Sequence, residues 1–149
     1  MNNFKKTLLI AMLLAGAASP SSAADRVVTA LEAEAHKSTR TKVLYIENHS
    51  SEMLVRTEVQ KHHGAWVGSP AETINPGSWS VFGNVSSGVM TGCEGEITYL
   101  AVPSLAKIKL HWGNPFVGTG WSRYNLENPG AHTLTESGTG NDVLRYYFR

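Results

Sequence analysis

The sequence predicts a single antiparallel β-sandwich, and three observations carry that prediction. Short runs of β-forming residues recur at roughly ten-residue spacing. Turn chemistry built on Gly, Pro, Asn and Ser separates them, and no long stretch of helical periodicity follows the N-terminal segment.

The elements follow in chain order. Lys5 and Lys6 precede an almost wholly apolar run, TLLIAMLLAGAA, which breaks at Ser19-Pro20 and ends in Ser21, Ser22, Ala23 and Ala24. This is the three-part pattern of a secretory signal, so residues 1–24 are set apart from the fold. A membrane anchor is the competing reading, but the run falls well short of the roughly 20 residues that span a bilayer. Asp25 to Thr41 form an N-terminal arm in which Val28, Leu31 and Ala35 would line a thin helical stripe; strand, short helix and loose arm all remain open. The domain proper runs from residue 42 to 149. Lys42 to Asn48 and Met53 to Val59 read as a hairpin across the polar turn His49-Ser50-Ser51-Glu52. Asn75-Pro76-Gly77 signals a tight turn, and Ser78 to Phe82 alternates as a half-buried strand. A Gly- and Ser-rich loop spans Gly83 to Gly95. Glu96 to Val102 and Lys107 to Trp112 are the next strands, Gly113 to Gly120 is a loop, and Val143 to Phe148 is the last strand.

Charge excludes some partners. The chain has 13 Lys and Arg against 12 Asp and Glu, and losing Lys5 and Lys6 with the signal leaves a net charge of −1. Nucleic acid is therefore not expected, since a polyanion binder shows a basic stripe. Adhesion to anionic lipid through Lys/Arg clusters is equally unsupported. The single cysteine, Cys93, cannot form an intramolecular disulfide, and burial as a small hydrophobe is the simplest expectation.

Motifs for catalysis are sparse. There is no GxSxG elbow and no HExxH or CxxC spacing, and His62 and His63, as neighbours on a strand, are expected on opposite faces. Neither a metal nor a cofactor is expected, and the chain is read as a binding protein. The sequons Asn48-His49-Ser50 and Asn84-Val85-Ser86 matter only in a glycosylating host.

Aromatics are the stronger signal. Trp66, Trp79, Trp112, Phe116, Trp121 and Tyr124 gather at turns and strand ends, three of them in NPFVGTGWSRY. Trp79 and Trp112 lie in alternating strands and suit a core. Phe116, Trp121 and Tyr124, following Asn114, are expected on a common exposed rim, where rings with one apolar and one wet edge suit a membrane interface.

The ordered set Ile46-Glu47-Asn48-His49-Ser50, Gly64-Ala65-Trp66, Ile74-Asn75-Pro76-Gly77, Ser87 to Gly95 and Leu110 to Gly118 resembles the aegerolysin family, over about two-thirds of the chain left after residue 24. Gly113 and Cys93 stand where many members carry Asp and Thr. The resemblance implies an actinoporin/aegerolysin-like sandwich that recognises membrane lipid by its headgroup, often with a separate pore-forming protein. The residues expected to bind lipid are Trp112, Asn114, Pro115, Phe116, Trp121, Tyr124 and Trp66. The expectation is a secreted cytolysin component, extracellular or periplasmic, peripheral on its target membrane. Pore formation by the chain alone is not expected, because Asp25 to Ser38 as a helix would measure about 21 Å against roughly 30 Å of hydrocarbon. Two other readings are a secreted carbohydrate-binding sandwich and a small secreted hydrolase using His62 or His111 with Glu94.

Overall fold

The structure, a computed structural model, describes residues 26–27, 29–31, 33, 40–138 and 143–149; the segment 1–24 read as a signal lies outside them. Among the described residues are ten strands: β1 (Thr41–Asn48), β2 (Met53–His63), β3 (Ala65–Val67), β4 (Thr73–Ile74), β5 (Trp79–Val85), β6 (Cys93–Val102), β7 (Lys107–Asn114), β8 (Trp121–Glu127), β9 (Leu134–Gly138) and β10 (Val143–Phe148). They form two five-stranded sheets, β3-β5-β1-β10-β9 and β4-β2-β6-β7-β8. The predicted sandwich is the observed fold. One pair departs from the antiparallel pattern, since β1 and β10 run parallel.

Period-2 alternation drives the packing. Ile108, Leu110 and Trp112 of β7 turn inward with Ile97, Tyr99 and Ala101 of β6, and meet Leu44, Ile46, Phe82, Tyr146 and Phe148 of the facing sheet. Tyr99 donates its hydroxyl to the Ala71 carbonyl at 2.7 Å, and burial pushes that hydroxyl up to about 12.

The first sheet is covered on its other face too. Leu31 packs there with Val43, Tyr45 and Val143, and Val27 joins them. The described residues of the arm, Arg26, Val27, Thr29, Ala30, Leu31 and Ala33, are helical, so Val27 and Leu31 lie one turn apart. This explains why β1 is buried almost along its length.

The predicted β1–β2 hairpin is corrected. β1 pairs with β5 and β10, while β2 pairs with β4 and β6, so the turn at 49–52 carries the chain from one sheet to the other. Asn48 fixes that crossover. Its Nδ2 donates to the carbonyls of Glu52 (2.7 Å) and Ile74 (2.9 Å), and its Oδ1 accepts from the backbone N–H and the Oγ–H of Ser50 (3.1 and 2.7 Å). Asn48 and Asn84 are fully buried, so neither sequon can carry a glycan in the folded chain. The sequence predicts no strand over β3, β4, β8 or β9, which the structure adds. Their short runs pair only because a longer neighbour supplies the partner groups.

Candidate functional site

One end of the sandwich collects the loops that the sequence singled out. Strand β1 begins there, with Thr41 opposite Val85. The β5–β6 loop (86–92) leaves beside it, and the β7–β8 loop (115–120) rises from Asn114, the partner of Cys93. The bases of these two loops touch. A Cβ on Gly92 would lie 2.6 Å from the Asn114 carbonyl oxygen and 2.8 Å from Pro115 Cα, so only glycine allows the approach. Arg40 ties the second loop to the start of β1, donating to the Phe116 carbonyl at 2.8 Å, and Asn114 Nδ2 donates to the Thr41 carbonyl at 3.0 Å.

Each residue expected to bind lipid has a definite place. Trp112 is 0% exposed, packed between Trp66 and Phe82 with ring centroids 6.0 and 5.8 Å away. Its alternation with Ile108 and Leu110 sends it inward, so it supports the loop end from beneath rather than touching a ligand. Trp66 joins the same cluster, edge-on to Phe82. Asn114 is buried and braces β7 against β1. Pro115 and Phe116 are half-buried at the loop base.

The expected common rim of Phe116, Trp121 and Tyr124 does not form. Trp121 opens β8 opposite Gly113, while Tyr124 lies opposite Leu110, an inward-facing residue. Three residues apart on a strand, the two rings take opposite faces. Tyr124, 47% exposed, leans against Tyr146 at the inner flank. The Trp121 ring lies over Gly113 on the outer face, edge-on to His111 at 4.7 Å with the Arg123 guanidinium 5.5 Å from its centre.

The exposed apolar side chains at the loop end are ones the aromatic reading passed over: Val89 (92% exposed) and Met90 (70%) in the first loop, and Val117 (81%) in the second. Met90 also holds a left-handed backbone conformation, φ 57°. The sequence signal was present, a Val-Met pair inside a Gly- and Ser-rich loop, but alternation cannot flag residues that belong to no strand.

The outer face of the second sheet is polar. An open hollow of about 360 Å³ is lined by Glu58, Glu96, Thr98, Lys109, His111 and Arg123, among others. The Glu127 carboxylate, 2.7 Å from Lys109 Nζ, holds that ammonium above its usual range, and Lys109 in turn holds Glu127 below the usual carboxylate range. His111 Nε2 and Glu94 Oε1 stand 3.0 Å apart, so the pairing considered for a hydrolase does form. Thr98, which lines the same hollow, is a buried residue whose hydroxyl donates to Glu58 at 3.2 Å.

No family model matches the chain. An uncharacterised protein of Dictyostelium discoideum is 32% identical over 118 residues, covering 78% of this chain and 10% of that protein, so the chain spans about a tenth of that relative's length. Among solved structures, the crystal structure of the lipid binding protein Nakanori superimposes with a TM-score of 0.71 at 16% identity, covering 94% of this chain and 84% of that one. The likeness is one of fold.

Proposed function

We propose that the chain is a lipid-recognising module that meets a membrane with its loop end, through Val89, Met90, Phe116 and Val117. One observation carries this reading: three apolar side chains stand in water on two loops whose bases touch. Apolar side chains concentrated at one place on a surface mark a site that something apolar covers. The use of the same fold by a lipid binding protein supports the choice of occupant. Fully burying three such side chains contributes about 4.5–9 kcal/mol, against association costs of several kcal/mol. Insertion alone gives weak attachment, so headgroup contacts at the loop bases must supply the remainder, and binding is selective. Among the described residues no helix is long and apolar enough to cross a membrane. We assign any perforation to a separate pore-forming chain. Export through the 1–24 signal to a peripheral extracellular or periplasmic role completes the proposal.

Vesicle flotation tests it, using phosphatidylcholine vesicles doped in turn with sphingomyelin, an ethanolamine phospholipid or phosphatidylserine. The protein is expected to float with at least one composition. Met90→Asp with Val117→Asp should lower recovery about tenfold or more without changing the thermal midpoint, while Trp121→Ala, on the outer face, floats normally. Failure to float with every composition, or a double variant that floats like the parent, refutes the reading. Release by soluble sugar would favour the carbohydrate-binding alternative.

A further inference from the structure

Three strands bring together side chains that their sequence positions keep far apart. Glu96 of β6 and His111 of β7 are direct cross-strand partners on the outer face of the second sheet. His62 arrives from β2, where the register shifts between Lys61 and His63, and its Nε2 lies 3.7 Å from Glu96 Oε1. The imidazole rings of His62 and His111 are 5.9 Å apart. One ligand atom from each of His62, Glu96 and His111 falls within 4.8 Å of the other two, and Glu94 adjoins at 3.0 Å from His111 Nε2.

We infer that His62, Glu96 and His111 form a binding site for a divalent transition-metal ion of the zinc class, with the Glu94 carboxylate at its edge. The donor set fits that class: two imidazoles and a carboxylate suit zinc, nickel or copper, whereas calcium takes six to eight oxygens. The spacing fits as well. Bonds of about 2.0–2.1 Å in a tetrahedron separate neighbouring donors by about 3.4 Å. The His62–Glu96 pair is already near that value, and no gap exceeds 4.8 Å, so side-chain rotation has to close about 1.4 Å at most.

All four side chains are 32–42% exposed, so an ion reaches them from solvent. The charge balance is favourable. The two carboxylates offset the two charges of the ion, while Lys109 is drawn to Glu127 and Arg123 lies against Trp121. Trp121, edge-on to His111, walls one side and limits how that ring turns. This site stands independently of the lipid reading. His62 sits at the register shift of β2, a β-bulge of the kind that re-aims a side chain, and it is turned toward Glu96.

The test is titration of the purified, metal-stripped full chain with ZnCl2 by calorimetry, with bound zinc counted after dialysis. His49→Gln serves as the control, since His49 forms an equally close pair with Glu47 (3.1 Å) at the opposite end of β1. One equivalent of Zn2+ is expected, with affinity falling about tenfold or more in His62→Gln and in His111→Gln and unchanged in His49→Gln. NiCl2 should quench tryptophan emission, and Trp121→Phe should remove most of that quenching. The inference is overturned by absence of saturable binding, by binding indifferent to both His62→Gln and His111→Gln, by equal loss in His49→Gln, or by quenching that Trp121→Phe leaves intact. Circular dichroism verifies that each variant is folded, and Glu96→Gln replaces any that is not.

Discussion

Replacing Asn48 by Asp changes one polar group and removes the donor from two hydrogen bonds. The Asn48 amide is fully buried, and its Nδ2 donates to the carbonyls of Glu52 and Ile74 at 2.7 and 2.9 Å. A carboxylate has no proton to give. Both carbonyls lose their donor and face an anion at contact distance, while the bonds from Ser50 to Oδ1 persist. Each buried acceptor stranded in this way costs about 1–3 kcal/mol, so the variant should lose about 2–6 kcal/mol at pH 8. That is a large share of the roughly 5–15 kcal/mol that holds a domain together. Burial and the two carbonyl dipoles disfavour the anion, so the introduced carboxyl is raised above its value of about 3.9 in the unfolded chain. A raised group contributes its full stability below the unfolded value and loses it as pH rises through the folded one. The difference between variant and parent must therefore shrink from pH 8 to pH 4.5, where the carboxyl regains a proton to donate. Urea unfolding followed by tryptophan emission at both pH values measures it. A loss under about 1 kcal/mol at pH 8, or one that grows on acidification, would show that Asn48 does not hold the crossover as described.

Substitutions at two further positions probe the layer beneath and beside the loop end. Trp112→Ala should cost about 3–5 kcal/mol, as emptying a fully buried ring site does. Trp112→Phe should cost only about 1–2 kcal/mol, because it also removes a buried indole N–H that has no acceptor among the described residues; equal unfolding midpoints for the two variants would contradict this. In Gly113→Ala the added Cβ would sit 2.6–2.8 Å from three atoms of the Trp121 indole. The ring is expected to swing toward water, shifting tryptophan emission to the red at a cost of about 1–2 kcal/mol, and an unshifted spectrum would place Trp121 elsewhere.

Much of the fold was legible in the chain. Alternation in Lys107 to Trp112 and Glu96 to Val102, with turn signals at Asn75-Pro76-Gly77, led directly to a sandwich, because the period of 2 and the φ preferences of Gly and Pro are properties of short segments. Cys93 is buried, as its character as a small hydrophobe predicts. What stayed hidden depends on partners distant in sequence. That β1 joins β10 in parallel instead of pairing with β2 is a pairing of segments about a hundred residues apart, which local alternation does not encode. That Trp121 and Tyr124 part company follows from their falling inside β8, a strand defined only by its pairing with β7. The meeting of His62 with Glu96 and His111 needs three strands and a bulge. Sequence determines how a segment alternates and turns, since those are near-neighbour energies. Which segments meet is decided by burying the inner faces of two sheets against each other and the outer face of the first beneath the arm, a condition met only by the folded whole.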